Sequence, residues 1–377
     1  MRSLLITYDF PPLVTGIGTV FYNLYRLMSA EDNLILAPRI RGYREIDKKA
    51  NFRIYRYVVC HRCRILRTIV LFFLVPFIII KEKVDLLICA VPVSIGLIGL
   101  IFKKIANVPY CVFCYGGEYK KFEKSIIKKL LVKILENSRL IIANSEFTSQ
   151  QVERFGIKKE KIFKVTPAVD ADIFKPDLYC ADLKKNLGLG QKKVLLTVSR
   201  LVKRKGIDTV ISALTLIKAE FPDVVYLVVG SGIEEEHLRL LVKEKNLEEN
   251  VVFLGGVSIE ELPKFYNLCD IYVMPNRETQ DIDNIEGFGL SFIEASACAK
   301  PVIGGASGGS KEAIEADRTG LLVDPEDFQL LAKVVIRLLK DEIYARELGR
   351  AGRQRVEIEF NWRERAEAFR EKLDNLI

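Results

Sequence analysis

Two carboxylates eight residues apart, Glu286 and Glu294, are the groups in this chain best placed to do chemistry. They enclose a glycine-rich stretch that continues into the apolar run Leu-Ser-Phe-Ile, which favours a helix. We expect Gly287, Phe288 and Gly289 to form the first turn of that helix, where free N–H groups and the helix dipole attract anions. Both carboxylates can accept hydrogen bonds from the hydroxyl groups of a ligand. The structural alternative is a helix cap at Glu286 and a surface charge at Glu294.

A loop rich in cations follows the apolar run 194–198, which predicts a strand. The loop reads Ser-Arg-Leu-Val-Lys-Arg-Lys-Gly and carries four cations, among them Arg200 and Lys205. Loops at the carboxyl ends of parallel strands face the ligand crevice of open α/β sheets. We therefore expect Arg200 and Lys205 to hold a diphosphate and to neutralise its charge as it leaves. The alternative is a solvated charge run.

The N-terminal segment reads as strand, glycine loop and helix, with Gly16 and Gly18 in the loop. This arrangement presents backbone N–H groups to a phosphate, although a tight turn would explain both glycines equally well. A dinucleotide-binding fingerprint needs a third glycine where Phe21 stands, so an NAD(P)-dependent enzyme is disfavoured.

These residues require a parallel sheet in each half of the chain. Apolar runs alternate with amphipathic segments on both sides of the proline-containing hinge 165–176, which is typical of two Rossmann-like domains. We expect an N-terminal domain over 1–170, a C-terminal domain over 177–360 and a helix over 361–377 that packs on either one. Strands are predicted at 4–8, 85–90, 110–113, 140–144, 194–198, 224–229, 251–254, 271–274 and 301–303.

The eight cysteines do not indicate a metal site. Cys111 and Cys114 lie in an apolar run that predicts a strand, where an offset of three sends their side chains to opposite faces, so they cannot join Cys60 and Cys63 around one zinc ion. Neither histidine has a neighbouring ligand, and we assign no metal role to the Asp281-Ile-Asp283 sequence. No secretory leader precedes the first apolar run, so we expect reduced thiols and a cytoplasmic protein.

Charge divides the chain into unlike halves. Residues 1–170 hold 28 Lys and Arg against 14 Asp and Glu, a net charge of +14, whereas the remainder has a net charge of −6. A basic domain suits an acidic partner such as an anionic lipid surface or another polyanion.

Residues 64–80 form an apolar segment inside this basic half. The run is too short to span a bilayer, which needs about 20 residues, and Pro76 is expected to interrupt it. Two interpretations remain open: a buried helix, or a face that dips into a membrane interface while Arg62, Arg64 and Arg67 meet lipid phosphates. The second would make the protein peripheral on the cytoplasmic face of the membrane.

The motifs together resemble glycosyltransferase family 4, the retaining enzymes of GT-B fold, and the likeness covers nearly the whole chain. The matching segments are Pro11-Pro12 with Gly16-Ile17-Gly18, Val169-Asp170 through Phe174, Ser199-Arg200 with Lys205-Gly206, Glu286 with Glu294, Lys300-Pro-Val-Ile303 with Ser307-Gly-Gly309, and Thr319-Gly-Leu-Leu-Val-Asp-Pro325. The resemblance implies an α/β protein whose two Rossmann-like domains face each other across a cleft. It further implies an acceptor-binding N-terminal domain and a C-terminal domain that binds the nucleotide-sugar.

The resemblance also implies roles for individual residues. Arg200 and Lys205 would hold the diphosphate together with the glycine loop at Gly16 and Gly18. Glu286 and the backbone N–H groups of the following residues would hold the donor sugar, and Glu294 would hold the ribose. The residues that supply those N–H groups would be Gly287, Phe288, Gly289 and Leu290.

One element departs from the family pattern. A His-Gly-x-Glu sequence is common after the fourth strand, and here it reads Tyr115-Gly116-Gly117-Glu118. Tyr115 and Glu118 remain candidate contacts to the sugar or the acceptor, but tyrosine is a poor base near neutral pH. The resemblance implies that the donor phosphate itself takes the acceptor's proton, which makes the replacement tolerable.

We therefore expect a retaining hexosyltransferase that uses GDP-mannose or a UDP-sugar and needs no cofactor or essential metal. Its acceptor would be a lipid, a lipid-linked glycan or a cell-surface glycan. An anionic membrane surface is a further candidate partner, and nucleic acid is not expected as one. A non-catalytic sugar-nucleotide-binding protein is the first alternative, and an NAD(P)-dependent enzyme is the second. The nucleotide base, the sugar, the acceptor, the linkage and the oligomeric state are left open.

Overall fold

The computed structural model describes residues 1–13, 15–29, 32–58, 64–117, 119, 122, 125–280 and 285–376. Several residues named above lie outside these ranges: Cys60, Arg62, Cys63, Glu118, Asp281 and Asp283, together with the side chain of Arg64. One of the two histidines, His61, also lies outside them. The chain divides into two compact units. Unit 1 comprises residues 1–167 and the C-terminal segment from Trp362, and unit 2 comprises residues 168–361.

Unit 1 is built on a seven-stranded parallel sheet with the strand order β3-β2-β1-β4-β5-β6-β7. Its strands are β1 Ser3–Ile6, β2 Asn33–Arg39, β3 Arg53–Val58, β4 Leu86–Cys89, β5 Tyr110–Cys114, β6 Leu140–Ala143 and β7 Ile162–Lys164. Its helices are α1 Gly16–Arg26, α2 Tyr43–Lys49, α3 Arg64–Glu82, α4 Ser94–Ile105, α5 Ile127–Asn137 and α6 Glu146–Glu153, with the C-terminal helix α15 Trp362–Asp374. The central strands are apolar throughout because helices cover both faces of the sheet.

The C-terminal helix belongs to unit 1. Helix α15 packs beside α1, and Phe369 lies edge-on to Phe113 of β5, with ring centroids 5.8 Å apart. The chain therefore leaves unit 1 after Pro167 and returns to it at Trp362. The sequence alone left open which domain this helix joins.

Helix α3 differs from the sequence expectation in one respect. We expected Pro76 to interrupt the apolar segment, but a single helix runs from Arg64 to Glu82 with Pro76 inside it. Leu71, Val75 and Ile78 face the core of unit 1 and hold the helix in place on both sides of the proline. Among the described residues, no helix is long and apolar enough to cross a membrane.

Unit 2 repeats the plan with a six-stranded parallel sheet of order β10-β9-β8-β11-β12-β13. Its strands are β8 Val194–Val198, β9 Val225–Val229, β10 Val251–Gly255, β11 Ile271–Met274, β12 Val302–Gly305 and β13 Leu321–Val323. Its helices are α7 Ala181–Asn186, α8 Ile207–Glu220, α9 Glu235–Glu244, α10 Leu262–Leu268, α11 Leu290–Ala297, α12 Ser310–Ala313, α13 Phe328–Lys340 and α14 Glu342–Glu359. The strand order reverses between β8 and β11, and ligands of such sheets bind at the carboxyl ends of the strands at this point.

Candidate active site

The predicted cations and carboxylates of unit 2 meet at the point where its strand order reverses. The loop after β8 carries Arg200 and Lys205, and the loop after β11 leads to Glu286. The adjacent strands β8 and β11 are paired in parallel register, so both loops leave the same edge of the sheet. Residues separated by about 80 positions in sequence thereby reach one another.

Glu286 is the centre of this cluster. Lys205 Nζ donates a hydrogen bond to Glu286 Oε2 over 2.5 Å, and Arg204 Nη1 donates to the same oxygen. All three side chains are about nine-tenths buried. In this structure Glu286 is therefore the internal anion that holds two buried cations, not merely a helix cap.

Burial and charge act in opposite directions on the pKa of Glu286. Burial alone would raise it, but the neighbouring charges of Lys205 and Arg204 outweigh burial and lower the pKa to about 2. Burial lowers the pKa of Lys205 to about 8, since it outweighs the attraction of Glu286. At neutral pH the carboxylate is ionised and the lysine is largely protonated, so Lys205 and Arg204 together carry one more positive charge than Glu286 neutralises.

Arg204 was not singled out from the sequence. It was one of four cations in the loop after β8, and only the fold shows that it donates to the same Glu286 oxygen as Lys205. Arg200, which was singled out, is exposed, and its charge reaches the buried cluster by lowering the pKa of Lys205. The buried cluster thus consists of Arg204, Lys205 and Glu286, and the exposed Arg200 acts on it through its charge.

Glu294 lies on the fifth residue of α11, one turn beyond the helix start. Its Oε2 accepts a 2.6 Å hydrogen bond from the buried hydroxyl of Tyr266. Burial raises the pKa of Glu294 to about 7, while the Tyr266 hydrogen bond and the charge of Lys205 oppose this rise. A surface charge would keep its ordinary pKa, so that alternative does not describe Glu294.

Helix α11 begins later than the sequence suggested. We expected Gly287, Phe288 and Gly289 to form its first turn, but the first helical residue is Leu290, and Gly289 precedes it in the left-handed conformation with φ of 94°. Its N-cap residue is Gly289, which has no side chain that could cap the helix start. Phe288 turns its ring inward against Phe360, with centroids 5.7 Å apart, so only the backbone of Phe288 is available to a ligand.

Glycines bring the loop after β12 into direct contact with Glu286. Gly309 N donates to Glu286 O over 2.9 Å, and a Cβ at Gly309 would lie 2.0 Å from Gly287 O. A Cβ at Gly308 would lie 2.4 Å from Glu286 O. Gly308 and Gly309 are therefore required by backbone packing against the segment that carries Glu286.

Two buried polar residues after β11, Asn276 and Arg277, also support the site and were not predicted. The Arg277 guanidinium pairs with Asp208 over 2.6 Å and donates to Thr209 over 3.0 Å. The backbone N–H of Arg277 donates to Arg204 O over 2.8 Å. Asn276 Nδ2 donates to Ser307 O, and its Oδ1 accepts from Gly305 N. These contacts fix the loops after β8, β11 and β12 to one another. The sequence signal for these two residues is an Asn-Arg pair that follows the strand after a single proline, Pro275.

The candidate residues of unit 1 lie at the carboxyl ends of β1 and β5. Helix α1 begins at Gly16, which is exposed with open space where a Cβ would stand. Gly18 differs from the expectation, because its N–H already donates to the side chain of Thr15 over 3.0 Å and is not offered to a phosphate. Tyr115 follows β5, is partly exposed and stacks on Phe113 with centroids 6.4 Å apart.

Two family models match the chain, one for each half. The Glycosyltransferase Family 4 model matches residues 14–173, and the Glycosyl transferases group 1 model matches residues 181–355. The first match falls in unit 1 apart from its last six residues, and the second falls wholly within unit 2. The cations and carboxylates of the unit 2 site, from Arg200 to Glu294, lie inside the second match.

Similar glycosyltransferases match this chain over nearly its whole length. A GDP-mannose-dependent alpha-(1-6)-phosphatidylinositol monomannoside mannosyltransferase of Mycolicibacterium smegmatis is 30% identical over 98% of this chain and 97% of its own length. A GDP-mannose-dependent monoacylated alpha-(1-6)-phosphatidylinositol monomannoside mannosyltransferase of Corynebacterium glutamicum is 29% identical over 100% and 97%.

Solved structures show the same fold. Anabaena Alr3699/HepE in complex with UDP-glucose superposes with a TM-score of 0.86 at 19% identity, over the full length of both chains. A glycosyltransferase from Rickettsia africae gives a TM-score of 0.75 at 22% identity, over 100% of this chain and 98% of its own. These likenesses show the GT-B fold, with its two Rossmann-like domains. The family models and the sequence relatives establish that the chain belongs to glycosyltransferase family 4.

Proposed function

We propose that the protein transfers a hexose, with retention of anomeric configuration, from a nucleoside diphosphate sugar to a glycolipid acceptor. The observation that carries the proposal is the buried cluster of Arg204, Lys205 and Glu286 at the strand-order reversal of unit 2. A diphosphate supplies the negative charge that this cluster lacks. The names of the mannosyltransferase relatives support a sugar-nucleotide donor and a glycolipid acceptor.

Each part of the donor has a partner of suitable chemistry. Lys205, Arg204 and the exposed Arg200 meet the diphosphate, whose charge they balance. Glu286, ionised at any physiological pH, accepts hydrogen bonds from sugar hydroxyls, and Glu294 accepts them from the ribose once it has lost its proton. The uncapped start of α11 at Leu290, with the backbone of Gly287 to Gly289, directs N–H groups at the same ligand.

The proposed reaction breaks the bond between the anomeric carbon and the diphosphate oxygen. The acceptor oxygen forms its bond to that carbon on the same face, and its proton passes to the departing phosphate. Negative charge grows on the diphosphate as it leaves, and the three cations stabilise this charge in a site that is already organised. We propose that these cations supply the positive charge that a divalent metal would otherwise provide, so that no metal is needed.

Unit 1 is proposed to bind the acceptor, with Tyr115 as a hydroxyl donor to the donor sugar or the acceptor. The phenol does not act as the base in this scheme, because the phosphate receives the proton. Gly16, at the exposed start of α1, is the remaining backbone candidate for a phosphate contact in this unit.

The test is a panel of GDP-mannose, GDP-glucose, UDP-glucose and UDP-galactose offered with phosphatidylinositol mannoside or with total lipid extract. We expect radiolabelled sugar in the lipid phase, a product whose anomeric configuration by NMR matches the donor, and unchanged turnover in EDTA. Lys205→Ala should lower turnover by roughly 100-fold or more, since it removes a buried charge at the leaving group. Lys203→Ala is the matched control, because Lys203 lies in the same loop and is exposed.

Three results would contradict the proposal. Inverted configuration in the product would exclude the retaining reaction. Tight nucleotide binding without transfer or donor hydrolysis would favour the non-catalytic alternative. Equal turnover in the Lys205 and Lys203 variants would remove the leaving-group role of the cluster.

A further inference from the structure

The outward face of α3 in unit 1 is an apolar stripe. Leu66, Ile69, Phe73, Phe77 and Ile80 recur at intervals of three or four residues, so they lie along one side of the helix. Phe73 is 72% exposed, Phe77 is 61% exposed and Ile80 is 79% exposed. Scattered single apolar residues are normal on protein surfaces, but a continuous stripe with two phenylalanines indicates a binding surface.

The opposite side of the same helix is firmly packed. Leu71, Val75 and Ile78 are at most 3% exposed in the core of unit 1, and Phe72 packs against Phe102 of α4 with ring centroids 5.7 Å apart. The helix is therefore held by one face and presents the other outward. The apolar stripe can therefore be buried against a partner while unit 1 stays folded.

Cations border the stripe at its C-terminal end. Lys81 Nζ lies 5.8 Å from the centre of the Phe77 ring, and Lys83 is exposed two residues further on. The neighbouring helix α4 ends in exposed Lys104 and in Ile105, which is 69% exposed. The acidic residue of this helix end, Glu82, is buried and pairs with Arg53 over 2.6 Å, so its charge is balanced within the unit.

We propose that this face of α3 docks on an anionic phospholipid bilayer. Phe73, Phe77 and Ile80 enter the interface, and Lys81, Lys83 and Lys104 meet lipid phosphates. An exposed apolar stripe beside cations is the pattern of helices that lie in a membrane interface, and the net charge of +14 over residues 1–170 complements anionic headgroups over a wider area. This partner goes beyond the proposed function, which names an acceptor but no membrane.

The structure changes which cations carry the lipid contact. Arg62 and the side chain of Arg64 lie outside the described part of the chain. Arg67 is partly buried, and its guanidinium lies over the ring of Tyr8 at 5.8 Å. The contact is assigned instead to the lysines at the other end of the helix.

The test is flotation of the full-length protein with vesicles, in the absence of donor and acceptor. We expect binding to vesicles of phosphatidylcholine with phosphatidylglycerol, weaker binding to pure phosphatidylcholine, and release by salt. Phe73→Gln with Phe77→Gln should lower the partition coefficient by on the order of 100-fold, since two aromatic side chains no longer enter the interface. Lys81→Gln should lower it by roughly fivefold.

A matched control is available in unit 2. Ile343 and Ile358, on α14, are 74% and 72% exposed, so Ile343→Gln with Ile358→Gln removes comparable exposed apolar surface from another helix. Circular dichroism should show unchanged melting for both double variants, because all four side chains are exposed. We expect the α14 variant to bind vesicles as the parent does.

Other outcomes would overturn the proposal. Absence of flotation with anionic vesicles, equal binding to neutral and anionic vesicles, or equal loss in the α3 and α14 variants would each do so. A dimer in solution that dissociates in the Phe73, Phe77 variant, without vesicle binding by the parent, would identify a second copy of the chain as the occupant. Because flotation requires no turnover, its failure is distinct from failure of the proposed transfer reaction.

Discussion

Replacement of Glu286 by glutamine should affect nucleotide binding and sugar transfer in opposite directions. In the structure, the Glu286 carboxylate accepts hydrogen bonds from Lys205 and Arg204, the same cations that we propose for the diphosphate. A bound diphosphate must draw these cations away from Glu286 or share them with it. The neutral amide of Glu286→Gln competes less, so the nucleoside diphosphate should bind more tightly.

The magnitude follows from the pKa of Glu286. Its fall from an ordinary value of 4.5 to about 2 corresponds to roughly 3 kcal/mol of net stabilisation of the ionised carboxylate by its surroundings. This energy is an upper limit on the interaction between Glu286 and its two cations that a bound diphosphate replaces. We therefore expect UDP or GDP to bind between about 10-fold and 100-fold more tightly to Glu286→Gln. Transfer should fall by roughly 100-fold, since the charged acceptor for the sugar hydroxyls is gone.

The assay is isothermal titration calorimetry of UDP and GDP, paired with turnover on the donor that the panel selects. Loss of the Glu286 charge lowers the pKa of the buried Lys205 further. The titrations should therefore be run near about pH 6, where the lysine keeps its proton. Glu235→Gln is the control, because Glu235 pairs with Arg239 on the exposed surface of α9. Thermal melting checks that the variant remains folded with its two buried cations.

The reasoning would be refuted if Glu286→Gln weakened nucleotide binding by as much as it lowered turnover. That result would mean that Glu286 orients Lys205 and Arg204 for the diphosphate and does not compete with it. Unchanged nucleotide affinity would mean that the diphosphate does not reach the two cations at all.

The other predictions concern pH, loop packing and Tyr115, which stands where a histidine is common in the family. Nucleotide affinity should rise as the pH passes about 7, where Glu294 loses its proton and can accept ribose hydroxyls, and it should fall above about 8, where Lys205 loses its proton. Calorimetry across this pH range tests both changes. A rise in affinity near pH 7 that persists in Glu294→Gln would contradict the assignment of that rise to Glu294. Gly309→Ala should lower kcat/KM by roughly 100-fold, because its Cβ would lie 2.0 Å from a backbone oxygen, whereas Gly256→Ala has open space and should be neutral; equal kinetics for the two variants would refute this. Tyr115→Phe should keep turnover within about tenfold of the parent with the same pH profile, and a loss nearer 1,000-fold would instead identify a general base.

The sequence predicted the bounds of some strands that are buried on both faces and missed others, among them β2 at Asn33–Arg39. Strands β8 and β11 have the predicted bounds, because strands covered by helices on both sides are continuous apolar runs. Strand β3 was not predicted, since it lies at the sheet edge and its Arg-Ile-Tyr-Arg-Tyr-Val sequence alternates charge with apolar groups. Strand β13 has only three residues and shows no periodicity. The GT-B fold was nevertheless predicted, and it is confirmed by the structural neighbours.

The start of α11 shows why local sequence misjudges helix bounds. Gly-Phe-Gly before an apolar run is compatible with a first helical turn. The chain instead enters the helix through a left-handed Gly289, and a Cβ there would lie 2.4 Å from the Phe292 ring. That choice depends on Phe288 packing against Phe360, a contact between residues 72 positions apart.

The sequence by itself determined that this protein carries two Rossmann-like halves, a glycine-flanked carboxylate pair and a cation-rich loop, because residue types and their spacing encode strands, helices and motifs. Only the tertiary structure decided which charges meet. It brought Arg204 onto Glu286, buried both, and left Arg200 exposed beside them, and these placements set the pKa values through desolvation and distance. It also decided that one side of α3 faces the core and the other side faces outward, which the apolar run could not reveal because both sides are hydrophobic.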